Sequence, residues 1–157
     1  MEHSLKTGLC FGLTSATITT LGLMVGLESG TGSKLVVLGG ILTIAIADAF
    51  SDALGIHVSE ESENKHTPKE IWLATIATWC AKFFFALTFI VPVLFLPLSI
   101  AVIASIIWGL LALATLSYIT GREDGHPWKA VFEHLFIALV VIVITHYVGD
   151  AIAAFFG

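Results

Sequence analysis

Asp48 and Asp52 stand four residues apart inside the apolar stretch 41–63, ILTIAIADAFSDALGIHVSEESE. Four residues are one helical turn, so the two carboxylates share a face. At about 100° per residue, Asp48, Asp52, Gly55, Ser59 and Glu63 fall within roughly 80° of one another. An acid near a bilayer centre costs about 2.5 kcal/mol or more on insertion scales, so two on one face require a partner, a water-filled cavity or a bound cation. The pattern predicts the floor of an ion path. Hard divalent cations want several oxygens, and transition metals accept carboxylate with imidazole or sulfur. Asp48 and Asp52 therefore need help from hydroxyls or carbonyls of the first apolar segment, Thr14 and Ser15 foremost, with Thr17 and Thr19 nearby, or from a second subunit. Glu63 continues the stripe at its polar end. The metal-ligand candidates are thus Asp52, Asp48, Glu63, Ser15 and Thr14.

Lys82 lies near the middle of the third apolar segment, at a depth similar to that of Asp48. A buried charge normally survives by pairing, so a Lys82–Asp48 ion pair is the conservative expectation for both residues. That pairing leaves Asp52 with no obvious cationic partner. Asp52 is then the leading candidate for cation binding and proton exchange.

Other polar groups carry less. Glu60, Glu61 and Glu63 are a solvated loop end or, functionally, a funnel that concentrates cations. His57 falls about 180° around the helix from Asp48 and is expected at the interface rather than in the stripe. His146 and Asp150 are i, i+4 neighbours, an interfacial pair or a proton relay. Glu133 and His134 are expected within reach of headgroups or water. Cys10 and Cys80 have no CxxC or Cys/His spacing, so neither a disulfide framework nor structural zinc is expected. No Ser/His/Asp or HExxH arrangement occurs. No catalytic residue and no prosthetic group is therefore expected.

The elements that hold these groups follow from hydropathy. With 157 residues, 57% of them hydrophobic and only 12% charged, and a mean hydropathy of +0.96, the chain is not an ordinary soluble globule. The net charge of −5 arises largely from one short loop. With no basic, aromatic-interleaved patch, nucleic acid is excluded as a partner. Five segments of about 20 residues or more reach across a bilayer, at about 8–27, 35–58, 71–95, 97–120 and 128–156. The expected fold is all-α, a single five-helix transmembrane domain of the cell membrane. A short polar start, 1–7, precedes the first segment, which is expected to be retained because no small-x-small cleavage site follows it. Lys6, Lys65, Lys69, Arg122 and Lys129 fall on one side and Lys34 alone on the other. The positive-inside rule then puts the N-terminus in the cytoplasm and the C-terminus outside. In the first segment Gly8, Gly12, Ser15, Thr19, Gly22 and Gly26 recur at spacings of four and three, a nearly flat side that another helix can approach closely. That face either packs inside one subunit or joins two copies, and a homodimer through it is the expectation.

At 51–63 the sequence SDALGIHVSEESE resembles the end of the second membrane helix of the vacuolar iron transporter (VIT/CCC1-like) family, approximately S-M-G-L-G-x-x-x-S-x-x-S-E, matched at Ser51, Leu54, Gly55, Ser59, Ser62 and Glu63. FGLTS at 11–15 is similar to that family's first-helix D-G-L-x-S. VPVLFLP, with Pro92 and Pro97, is similar to its third-helix proline pattern, and THYVG at 145–149 to its last helix. The resemblance implies a homodimer of five-helix subunits exchanging cytoplasmic Fe²⁺ or Mn²⁺ for protons along a path lined by the first two helices of both subunits. Phe11 stands where the family has its first-helix acid, and Asp52 where it has a methionine. The family's helical insert between the second and third helices is reduced here to the 59–70 loop. A hard oxygen in place of sulfur shifts the expected cargo from iron toward Mn²⁺. Two other classes compete: a non-transporting membrane scaffold in which Asp and Lys only lock helices together, and an intramembrane enzyme with an aspartate dyad. A cavity joining Asp52 to the cytoplasm marks a transporter; a dry, fully paired cluster marks a scaffold.

Overall fold

The computed structural model describes residues 2–123 and 125–157. Met1 of the polar start and Asp124 of the loop before the last segment lie outside the described residues. Among the described residues six helices follow in order: α1 Glu2–Thr31, α2 Lys34–Ser62, α3 Pro68–Thr88, α4 Ile90–Phe95, α5 Leu98–Glu123 and α6 Pro127–Phe156. With α3 and α4 forming one span, Pro68–Phe95, five spans are long and apolar enough to cross a membrane. The expected all-α, five-span architecture is what the chain adopts. The helices overrun the apolar segments because polar residues at each end continue in helical register once the turn is nucleated.

Local chemistry sets most of the boundaries. Ser33 caps α2, its hydroxyl accepting from the Val36 N–H at 3.4 Å. Thr67 and Glu70 form a reciprocal capping box at α3, with Pro68 in the first turn, where its missing N–H costs nothing. The span breaks at Phe89 because Pro92, three residues on, has no N–H for the Thr88 carbonyl, and its ring crowds that carbonyl. α1 stops at Gly32, whose φ of +58° an L side chain rarely adopts. At the hairpin after α4, Lys34 Nζ donates to the carbonyls of Leu94 at 3.0 Å and Leu96 at 3.2 Å. Its ammonium thus satisfies carbonyls left over by the helix terminus.

α1 is the most buried of the five spans and sits at the centre of the bundle. The apolar core gathers Leu21, Met24 and Val25 of α1, Val37 and Ile41 of α2, Phe89 and Val93 around the break, and Ala101 and Val102 of α5. It fills the half of the bundle next to the hairpin.

The glycine face of α1 is used inside the subunit, the first of its two expected roles. A Cβ on Gly8 would strike the Ala74 carbonyl, and one on Gly12 the Thr78 carbonyl of α3. One on Gly22 would meet Val141, and Gly26 lies against Thr145, both of α6. Farther along, Gly30 packs on Gly149. Small residues bring backbones together here as expected, but the partners are α3 and α6 of the same chain.

Candidate functional site

Asp48 is the central residue of α2, fourteen residues from Lys34 and fourteen from Ser62. Lys82 lies midway along the Pro68–Phe95 span, and Ser15 near the middle of α1. The three meet at one depth. Lys82 is only 1% exposed, yet its ammonium is surrounded by oxygen. It donates to Asp52 Oδ2 and, at 2.7 Å, to Ser15 Oγ, and it lies 2.6 Å from Asp48 Oδ2. That last contact is an ion pair only: Asp48 Oδ2 is buried without a hydrogen bond of its own.

The expected Lys82–Asp48 pair is present, and the absence of a partner for Asp52 is corrected. Carboxylates one turn apart are separated by about 6 Å along the axis, so one ammonium between them touches both. Of the two acids, Asp52 is the one held by hydrogen bond. Two acids thus meet one base. An ammonium has three protons, and here three acceptors surround it.

Asp48 also opens outward. Its side chain is 26% exposed, against 18% for Asp52. It ends a groove of ≈ 690 Å³ between α1 and α2 that runs from Leu27 and Val36 past Leu23, Gly40 and Thr43 to Asp48 and Ser51. The groove reaches the cluster from the hairpin end, not from the Glu63 end, and Asp52 does not line it.

The remaining sequence candidates divide. Ser15 joins the cluster. Thr14 is half-buried and makes no hydrogen bond to it. Glu63, eleven residues beyond Asp52 and so about 16 Å along the axis, is paired with Lys65 at 3.8 Å and His66 at 4.0 Å. Glu60, by contrast, is buried, with His66 at 3.4 Å. His57 faces α3, with Nδ1 2.9 Å from Thr75 Oγ1. Asp150 contacts the Ser29 hydroxyl and lies 3.5 Å from His146 on the α1–α6 side, apart from Asp48 and Asp52. Among the described residues no three His, Cys, Asp or Glu side chains converge as a metal site. Sequence reasoning missed Thr43, Ala47 and Ser51 as groove lining. Their spacing of four along one face of α2 was the available signal.

No protein-family model and no curated protein matches this chain. The likeness to the vacuolar iron transporters therefore rests on the short motifs alone.

Exposed positions on α2 complete the picture. Gly39, Thr43, Ala47, Ser51 and Gly55 recur every four residues and are all exposed. Nothing lies within 4 Å of where a Cβ would stand on Gly39 or Gly55. An uncovered small-residue face thus runs along α2, beside the groove that ends at Asp48.

Proposed function

We propose that this multi-pass protein moves divalent cations, Mn²⁺ or Fe²⁺, across the cell membrane in exchange for protons, and that the Asp48–Asp52–Lys82–Ser15 cluster is the exchange site. One observation carries the reading: two mid-span acids share a single lysine at the end of an open groove. A structural ion pair needs one acid per base. A surplus carboxylate at mid-membrane is costly unless a cation or proton visits it. The donors are oxygens, which suit hard cations, Mn²⁺ more than Fe²⁺. With the N-terminus cytoplasmic, as the distribution of Lys and Arg favours, the groove faces the outer half of the membrane.

A homodimer belongs to the same reading, with α2 rather than α1 at the two-fold axis. A partly exposed carboxylate and Ser51 facing lipid at mid-membrane favour cover by a second copy, and the small residues of α2 permit close approach. With Cys10 and Cys80 replaced by Ala, Ser51→Cys should cross-link two copies in membranes on mild oxidation, because equivalent positions at a two-fold axis come within disulfide reach. Ile103→Cys, on α5, should not. Equal cross-linking at both positions, or none at Ser51, removes the α2 dimer.

The second reading, a non-transporting assembly protein, is favoured by the contact of Lys82 with both carboxylates and by a groove that meets Asp48 from the hairpin end rather than joining Asp52 to the Glu63 end. Purified protein in liposomes separates the two. The transport reading expects Mn²⁺ or Fe²⁺ flux above that of empty liposomes, accompanied by counter-movement of protons. Flux at the empty-liposome level hands the case to the scaffold.

A further inference from the structure

On the opposite flank of α2 a second groove, of ≈ 330 Å³, runs between α2 and α3 with Phe50, Leu54, Trp72, Ile76 and Trp79 as its walls and His57 and Thr75 as its polar part. Its hydrogen bonds favour one tautomer of His57. The Thr75 hydroxyl has one proton, and it donates that proton to the Ile71 carbonyl at 2.8 Å. With that proton so engaged, Thr75 Oγ1 is an acceptor for His57 at 2.9 Å, which suits the tautomer with its proton on Nδ1. In the neutral ring Nε2 is then an acceptor, and no described residue donates to it. Trp72 holds the ring edge-on, with centroids 4.7 Å apart. One helical turn beyond His57, on the same face, stands Glu61, exposed and without an ion-pair partner among the described residues.

An acceptor and an unpaired carboxylate above an aromatic, membrane-facing groove describe a particular ligand. It carries an N–H-bearing cation on an apolar tail. We propose that the α2–α3 groove binds phosphatidylethanolamine, with the headgroup ammonium donating to His57 Nε2 beside Glu61 and an acyl chain lying along Trp72, Ile76 and Trp79. The position along the helices agrees. His57 lies five residues before the end of α2 and Trp72 four residues into α3, the zone where interfacial aromatic residues meet headgroups. The acidic last turn of α2 and the negative end of its dipole add to the preference for a cation. Phosphatidylcholine offers the same phosphate and chains, but its quaternary ammonium has no proton to donate.

Protein carrying Trp108→Phe and Trp128→Phe keeps only the two groove tryptophans. Delipidated in detergent and titrated with phospholipids brominated in the acyl chain, it should be quenched by phosphatidylethanolamine at a concentration about tenfold below that of phosphatidylcholine, the weight of one charge-assisted hydrogen bond. His57→Phe, which keeps the ring against Trp72, should abolish the preference while both lipids still quench. Glu61→Gln should reduce it. Equal quenching by the two lipids in the parent overturns the proposal, as does a preference that survives both substitutions. Phosphatidylglycerol matching phosphatidylethanolamine overturns it too, since a hydroxyl donor would then suffice. If His57→Phe does not fold, as judged by circular dichroism and gel filtration, an unchanged preference in Glu61→Gln is decisive against it.

Discussion

Lys82→Met is expected to destabilise the protein by about 3–5 kcal/mol, the usual cost of removing one partner of a buried ion pair. The lysine is fully buried against three oxygens, and its loss strands two carboxylates a turn apart at mid-membrane. Like charges at that spacing repel, and no other described cation is within reach. Most of the loss should be recovered when the acids are neutralised with it. Lys82→Met combined with Asp48→Asn and Asp52→Asn should unfold within about 1 kcal/mol of the parent, because apolar and neutral replacements of a buried ionic group are often close to neutral. The measurement is reversible unfolding in mixed micelles followed by circular dichroism, read as a mutant cycle. Additive losses across the cycle would show that the three groups do not interact.

The same cluster shows how far a sequence reaches in a membrane bundle. Depth along a helix is nearly a count of residues, so Ser15, Asp48 and Lys82 could be set at one level before any helix was placed. Facing was legible too, since Asp48 and Asp52 share a face on any α-helix. Which neighbour stands opposite that face was not legible. Glycine spacing in α1 announces a close contact, but it reads the same whether the partner is α3, α6 or a second copy, and here α3 and α6 took it. The choice of Ser15 over Thr14 turns on a 100° rotation of α1, which the small residues on several of its sides do not determine. The pairing of Lys82 with both acids follows from the reach of its side chain rather than from any pattern. Thr43, Ala47 and Ser51 escaped because small residues scattered among Leu, Ile and Phe look like filler until neighbours leave them uncovered. The break at Phe89 was encoded by Pro92, whose effect falls on the turn before it.

Asp48→Asn and Asp52→Asn should each lower metal-coupled proton movement at least about tenfold, the scale of one charge-assisted contact, while leaving the protein folded. Either change brings the cluster to one acid and one base, which is the stable count for a buried pair. The two variants lose function by different routes. Asp48→Asn removes the carboxylate that ends the groove. Asp52→Asn leaves Asp48 in place but makes it the sole counter-ion of Lys82, so the ammonium holds the carboxylate that a cation must win. Adding Lys82→Met separates the routes. It should restore Mn²⁺ binding to Asp52→Asn, where Asp48 becomes a free acid at the groove, and should not restore it to Asp48→Asn, whose remaining acid does not line the groove. Binding of Mn²⁺ to the purified variants, read by electron paramagnetic resonance, and flux in liposomes are the two measurements. Parent-level flux in both single variants would sink the exchange site and favour the assembly reading. Recovery in both double variants would show that the groove gives Asp48 no privilege, and that either carboxylate of the pair meets the ion.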